Sequence, residues 1–280
     1  MQDIRNIRLS DGREIPQVGL GLWKVQDETE FKRSFDAALA AGYTHFDSAQ
    51  VYGNEQFLGA CWKASGLPRE NFWLTTKIRT ENIALGHTQQ SFPHSLERLQ
   101  TDYVDLLLLH FPVPLQRKKA WQALEKIKAA GGAKSIGVSN YTIKHLEEMK
   151  LYATETPAVN QVELHIFLQQ PELVDYCRKH GIVAEAYSPL AHGKDMKNAE
   201  VQAMADRHGK SYAQIMLRWC IENGLVLLPK SVTPDRVREN IELYDFELYL
   251  EELQALAKLN RNLRTCWDPT RIPEHAAIIS

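Results

Sequence analysis

Eight short apolar runs alternate with longer amphipathic segments along most of this chain. The runs fall at 17–22, 44–48, 73–77, 104–110, 135–139, 159–163, 183–188 and 226–229. Each has the length and content of a buried strand. The intervening segments are 28–41, 55–65, 89–100, 115–130, 143–152, 171–180, 200–208, 212–222, 234–242 and 250–259. They carry apolar residues at helical spacing, as Phe31, Phe35, Ala38 and Leu39 do in the first. Pro171 and Pro234 suit first helical turns, and Gly66, Gly131, Gly181, Gly209 and Gly224 stand where helices stop. Strands alternating with helices predict a parallel sheet covered by helices.

Two closures satisfy that pattern: an open doubly wound sheet and a (β/α)8 barrel. The open sheet usually shows a glycine fingerprint after its first strand. Here Gly19-Leu20-Gly21-Leu22-Trp23 supplies only half of it, because Lys24 stands at the third glycine position. The 280 residues also lie near the roughly 250 typical of a barrel. The expected fold is therefore α/β, a (β/α)8 barrel with a short C-terminal tail from Asn260 to Ser280. Asp11-Gly12 between alternating apolar residues signals an N-terminal β-hairpin, placed at the barrel's bottom. With no repeat or linker in view, 1–280 reads as a single domain.

Charge excludes some partners. Lys and Arg number 33 and Asp and Glu 35, a net of −2. That balance argues against nucleic acid, which needs excess positive charge on one face, and against a polybasic membrane anchor. No stretch reaches the roughly 20 apolar residues of a membrane span, and Met1-Gln2-Asp3-Ile4-Arg5 has no apolar signal-peptide core. Cys61, Cys177, Cys220 and Cys266 are far apart and read as reduced thiols in a cytoplasmic protein. A monomer is expected.

In a barrel, chemistry sits at the carboxyl ends of the strands. Strand two runs through Phe46 into Asp47, strand three through Thr76 into Lys77, and strand four through Leu109 into His110. The loop after Asp47 adds Tyr52. A carboxylate, an ammonium, an imidazole and a phenol on one rim suit proton transfer. Asp47 pairs a buried Lys77. The Lys77 cation favours tyrosinate and so lowers the Tyr52 pKa, while His110 positions a substrate oxygen. Taken singly, each has a bland reading: a helix cap, a rim lysine, a core histidine, a packing tyrosine. Four together make that reading minor.

The second half supplies another set. Ser139-Asn140, Asn160-Gln161 and Tyr187-Ser188 lie at strand ends and suit a planar polar ring, by hydrogen bonds and by stacking on Tyr187. Lys230, Ser231 and Arg236 gather near a helix start after strand eight, where barrels bind phosphate. An exposed basic cap is the bland alternative, and the strand-end position argues against it.

Together these segments resemble the aldo-keto reductase family. The matching pieces run from Gly42 to Glu55 and include Thr76-Lys77, Leu109-His110-Phe111-Pro112, Ile136–Asn140 and Asn160–Glu163. Ala186–Leu190, Pro229-Lys230-Ser231 and Arg236 with Glu239-Asn240 complete them. The resemblance implies NADPH-dependent reduction of aldehydes or ketones to alcohols. It makes Tyr52 the general acid, with Asp47, Lys77 and His110 completing a tetrad. Ser139, Asn140 and Gln161 would hold the nicotinamide carboxamide and Tyr187 would stack on the ring. Ser188 and Leu190 would line the pyrophosphate path. Lys230, Ser231, Val232 and Arg236 would take the 2′-phosphate, and Glu239 and Asn240 would face the adenine. Two cations at that phosphate favour NADPH over NADH.

Departures bear on substrate. Phe111 stands where the family commonly has Trp, and Ile78-Arg79 replaces an apolar residue followed by Trp. Trp23 resembles a retained pocket wall. Arg79 would pair with an anionic substrate group, or else be a solvated loop residue. Trp267 would roof the pocket or pack at its edge, and His192 lies near the pyrophosphate path. The short tail resembles compact microbial members that reduce small aldehydes, dicarbonyls or keto-sugars. Two other readings compete. One is a metal-dependent hydrolase using Asp47, His110 and His165, which leaves Lys77 and Tyr52 idle. The other is a nucleotide-binding redox sensor without turnover.

Overall fold

The computed structural model describes residues 5–194 and 196–271. Two strands precede the barrel, β1 (Asn6–Arg8) and β2 (Glu14–Pro16). Eight build it: β3 (Gly19–Gly21), β4 (His45–Asp47), β5 (Trp73–Ile78), β6 (Val104–Leu109), β7 (Ala133–Ser139), β8 (Val159–Glu163), β9 (Val183–Tyr187) and β10 (Val226–Leu228). The helices are α1 (Glu28–Ala41), α2 (Glu55–Ala64), α3 (Thr80–Ala84), α4 (Thr88–Leu99), α5 (Arg117–Ala129) and α6 (Ile143–Met149). They continue with α7 (Pro171–Lys179), α8 (Ala199–His208), α9 (Tyr212–Glu222), α10 (Pro234–Glu239) and α11 (Leu250–Ala257).

The strands pair in chain order from β3 to β10, every pair parallel. The two edge strands then meet. Val18 bridges Leu227, Leu227 N donates to Gln17 O at 2.9 Å, and Gly21 N donates to Pro229 O at 3.0 Å. The sheet is thus a barrel, as expected. The half fingerprint acquires a packing reason at this seam. A Cβ on Gly19 would lie 2.7 Å from the His45 ring, and one on Gly21 would lie 3.0 Å from Leu228 O. Those glycines let strands approach; they do not cradle a phosphate.

The hairpin closes the bottom. Ile7 pairs with Ile15 across β1 and β2. Leu9 and Ile15 pack with Trp73, Val159 and Val226, each the first residue of its strand. Helices cover the outside through one apolar stripe each. In α1, Phe31, Phe35 and Ala38 are buried, Asp27 caps the start by accepting from Glu30 N at 2.8 Å, and Gly42 ends it at φ 98°.

Sequence and structure differ mainly at element ends. The first barrel strand is shorter than 17–22, and the segments expected at 115–130, 143–152, 234–242 and 250–259 stop earlier. Leu115 at φ 62° keeps α5 from starting there. Helix α3 was not expected, since Thr80-Glu81-Asn82 carries no apolar stripe.

Candidate active site

Three adjacent strands bring the acid–base residues together. Asp47 ends β4 in register with Thr75, and Lys77 lies two residues further along β5, on the same face. His110 directly follows β6. Tyr52 closes a single helical turn, Gln50–Tyr52, that Gly53 terminates at φ 66°. Asn54 ties this loop to the barrel. Its amide donates to Leu22 O at 2.9 Å and Val25 O at 3.0 Å, and its Oδ1 accepts from Ser48 Oγ at 2.7 Å.

Lys77 is fully buried. Its Nζ donates to Asp47 Oδ1 at 2.6 Å, Ser48 O at 2.9 Å and Tyr52 OH at 3.3 Å. The His110 ring meets Tyr52 edge-on, centroids 5.7 Å apart. Burial alone would lower the Lys77 pKa, but Asp47 and Tyr52 outweigh it and hold the ammonium above its ordinary value. Burial pushes the Asp47 carboxyl up against the pull of Lys77. Burial also raises Tyr52, and Lys77 only partly offsets this. The lysine therefore acts in the expected direction without setting the net shift. His110 is pulled down to about 3, first by burial and then by Lys77, and is a neutral imidazole.

The far side of the same rim carries the expected amides. Gln161 Nε2 donates to Asp47 Oδ2 at 2.9 Å and to Glu185 Oε2 at 2.7 Å. Ser139 Oγ donates to Gln161 O at 2.9 Å. Asn140 sits at φ 64°, a left-handed conformation that Asn tolerates. Its amide donates to His110 O and Ser139 Oγ, each at 3.1 Å, and its Oδ1 accepts from Tyr187 OH at 2.8 Å. Tyr187 is thereby held in place at the rim. Ser188 is also left-handed, at φ 49°, and Leu190 follows in the same partly buried loop.

Lys230 and Arg236 are exposed in the segment after β10, with no ion pair among the described residues. Ser231 Oγ accepts from Thr233 N at 3.1 Å, and Val232 is half-buried beside it. Asn240 is buried, and Glu239 accepts from Ser211 Oγ, so that carboxylate is already engaged.

Trp23, Phe111 and the described tail are joined by ring and polar contacts. Trp267 stands edge-on to Phe111 at 6.3 Å and is 67% exposed. His192 contacts Trp23 edge-on at 5.3 Å, and its Nε2 lies 3.0 Å from Ser188 Oγ and 3.1 Å from Cys266 Sγ. Arg79 is not free: its Nε donates to Glu81 Oε2 at 2.8 Å. Glu163 latches the tail by accepting from Thr265 N at 2.7 Å, Thr265 Oγ1 at 2.5 Å and Cys266 N at 3.1 Å. Sequence reasoning missed Glu163 as a latch and Glu185 entirely. The only sequence signal for Glu185 was a lone carboxylate between two alanines in an apolar run.

Asp47, His110 and His165 do not form a metal constellation. Lys77 and Gln161 take the Asp47 carboxylate, and His165 Nε2 lies 3.2 Å from Glu163 Oε1. No group of three or more His, Cys, Asp or Glu among the described residues is arranged to hold a metal ion.

A buried Lys–Asp pair beside a tyrosine and a neutral histidine, at the carboxyl rim of a (β/α)8 barrel, has the chemistry of a barrel enzyme's acid–base site. The chain belongs to the aldo/keto reductase family, whose sequence profile matches residues 17–261. It is 41% identical over 266 residues to a glyoxal reductase of Bacillus subtilis, covering 95% of this chain and 96% of that one. It is 42% identical over 268 residues to a methylglyoxal reductase, DkgA, of Yersinia pestis, covering 94% and 95%. The solved structure of a Bombyx mori aldo-keto reductase in complex with NADP superimposes with a TM-score of 0.91 at 31% identity, covering 98% and 99%.

Proposed function

We propose that this chain reduces small aldehydes, dicarbonyls or keto-sugars to alcohols with NADPH, and that Tyr52 delivers the proton. Membership of the family makes it an oxidoreductase acting on carbonyl groups. Similarity to reductases named for glyoxal and methylglyoxal supports small dicarbonyls as substrates. Likeness to a structure holding NADP supports the cofactor.

One observation carries the chemistry: Lys77 Nζ donates to Tyr52 OH at 3.3 Å while Asp47 neutralises the ammonium. An ammonium has no acceptor lone pair, so the phenol oxygen is the acceptor. The phenol's own hydrogen is left for a carbonyl oxygen in the pocket. As negative charge develops on that oxygen, the adjacent ammonium stabilises the phenolate left behind. Neutral His110 donates a hydrogen bond that orients the oxygen without competing as an acid.

The residues present fit this cofactor. Gln161 spends both amide hydrogens on carboxyl groups, and its Oε1 accepts from no described residue. A carboxamide N–H₂ fits that acceptor. Ser139 and Asn140 flank it, Tyr187 offers its ring, and Ser188 and Leu190 border the path onward. Lys230, Ser231, Val232 and Arg236 offer charge and polar groups for a 2′-phosphate, with Asn240 behind them. Glu239 would need to leave Ser211 to reach an adenine. When bound, NADPH supplies the hydride. Trp23 and Phe111 would line the substrate side. Glu81 takes the Arg79 Nε hydrogen, so an anionic substrate group would meet the remaining guanidinium N–H groups of an already paired cation.

We also read the chain as a single-domain cytoplasmic monomer. All four thiols are free, no helix among the described residues is long and apolar enough to cross a membrane, and one chain supplies every residue of the site. Following NADPH oxidation against a panel of small aldehydes, dicarbonyls and keto-sugars tests the reaction. Turnover of none, or equal efficiency with NADH, overturns it.

A further inference from the structure

We propose that Glu185 is a positioning residue of this site: held as a neutral acid beneath it, Glu185 fixes the orientation of the Gln161 amide and leaves Asp47 as the single negative partner of Lys77. The proposal rests on the reading that Gln161 faces the nicotinamide carboxamide.

Glu185 lies in the middle of β9, fully buried, in register with Gln161 on one side and Val226 on the other. The charged or titratable groups facing it are His45 and Asp47 of β4 and Lys77 of β5. From β8 it meets the Gln161 amide and from β10 the apolar Val226. Its Oε2 accepts from Gln161 Nε2 at 2.7 Å, while its Oε1 has no hydrogen-bond partner and stands 3.7 Å from His45 Nε2.

Donor chemistry settles where the protons lie. His45 Nδ1 is 3.2 Å from Pro16 O, which only accepts, so Nδ1 carries the hydrogen and Nε2 presents a lone pair, which accepts from Thr75 Oγ1 at 3.2 Å, that oxygen itself accepting from Trp73 Nε1. Burial pulls that ring down to about 3, so it stays neutral. An ionised Glu185 would set a bare carboxylate oxygen against that lone pair, beside a second carboxylate. A proton on Oε1 removes both conflicts. Burial, and then the Asp47 charge, push this carboxyl up to about 8.

The consequence reaches the pocket through Gln161. The amide sits between two carboxyl acceptors, so both hydrogens point inward and Oε1 points away. A flipped amide would set its oxygen against the Asp47 carboxylate and turn its hydrogens away from both carboxyl acceptors. Asp47 then carries the charge that Lys77 balances, and Lys77 holds Tyr52.

Two variants separate the functions. Glu185→Gln keeps an acceptor for Gln161 and a hydrogen toward His45 but has nothing to titrate. Glu185→Leu removes both. The first readout is the melting temperature of the cofactor-free protein against pH. The wild-type carboxyl stays protonated when folded and ionises when unfolded, so the contribution of this one group to wild-type stability falls as pH rises from about 5 to about 8. Glu185→Gln escapes this, and its advantage over wild type widens across that window. The second readout is NADPH affinity by tryptophan fluorescence at pH 7. Glu185→Gln should bind within about twofold of wild type, and Glu185→Leu about tenfold more weakly, as loss of one buried hydrogen bond predicts. A melting gap that does not change with pH overturns the neutral acid. It does so even where Glu185→Leu fails to fold. Unchanged affinity in a folded Glu185→Leu overturns the positioning role. Gln161→Leu distinguishes the underlying reading. If it binds NADPH as wild type does, Gln161 does not face the cofactor; if it weakens binding and Glu185→Leu does not, only the Glu185 proposal falls.

Discussion

Lys77 donates to the Tyr52 oxygen at 3.3 Å, from a position it can hold only because Asp47 sits 2.6 Å away on the neighbouring strand. The contact gives the phenol a direction. Its oxygen is turned to the ammonium and its hydrogen to the pocket. Replacing Tyr52 by Phe keeps the ring against His110 and removes the hydroxyl, both the hydrogen and the oxygen that accepts from Lys77. Carbonyl reduction is expected to fall by about 10²–10⁴-fold, with NADPH affinity within about twofold. Steady-state NADPH oxidation and a fluorescence titration check the two halves.

The same pair bears on stability. Lys77→Met strands the Asp47 charge in the barrel interior, which costs about 3–5 kcal/mol. Adding Asp47→Leu removes the stranded charge and should recover much of the loss. Urea unfolding of both variants measures it. A double mutant less stable than the single one contradicts the assignment.

Cofactor choice follows from Lys230 and Arg236, whose charges no described acidic side chain neutralises. Alanine at either position should weaken NADPH about tenfold or more, as loss of a charge-assisted bond implies. NADH, which lacks the phosphate, should bind both variants as it binds wild type. Comparing kcat/KM for the two cofactors reads this directly.

Acid should unfold the protein through its buried histidines. His45 and His110 are each pulled down to about 3, mainly by burial. Above pH 6.5 both states hold these rings neutral. Below it the unfolded chain binds protons and the folded one does not, so stability falls as pH drops toward about 3. Each ring contributes a slope of about 1.4 kcal/mol per pH unit. Melting curves from pH 7 to pH 4 show it, and His45→Gln should flatten the trend.

Glu163 holds the segment that carries Cys266 and Trp267. Glu163→Ala should free that segment, raise the carbonyl KM several-fold and leave NADPH affinity largely intact. Limited proteolysis at Arg264 should quicken in parallel.

Much of this was legible from the strand ends. Asp47, Lys77 and His110 each terminate or follow an apolar run, and polarity there has little structural use. Loop residue Tyr52 was found through its neighbours. What escaped notice lies elsewhere. Glu185 points into the barrel from mid-strand, where an apolar pattern hides a single carboxylate. The Glu163 latch joins positions 102 residues apart, beyond any local periodicity. The Arg79–Glu81 pair was missed because two loop charges look the same whether solvated or joined. The net rise at Tyr52 depends on burial, which spacing does not report.

The tail is fastened at its root by Glu163, and Cys266 and Trp267 beyond that root reach His192 and Phe111. The barrel can therefore keep its acid–base machinery fixed while residues such as Cys266 and Trp267 change. Divergence toward new carbonyls can proceed by replacing one anchored strip, and a library confined to 266–271 is expected to vary selectivity without disturbing the strands that hold Asp47 and Lys77.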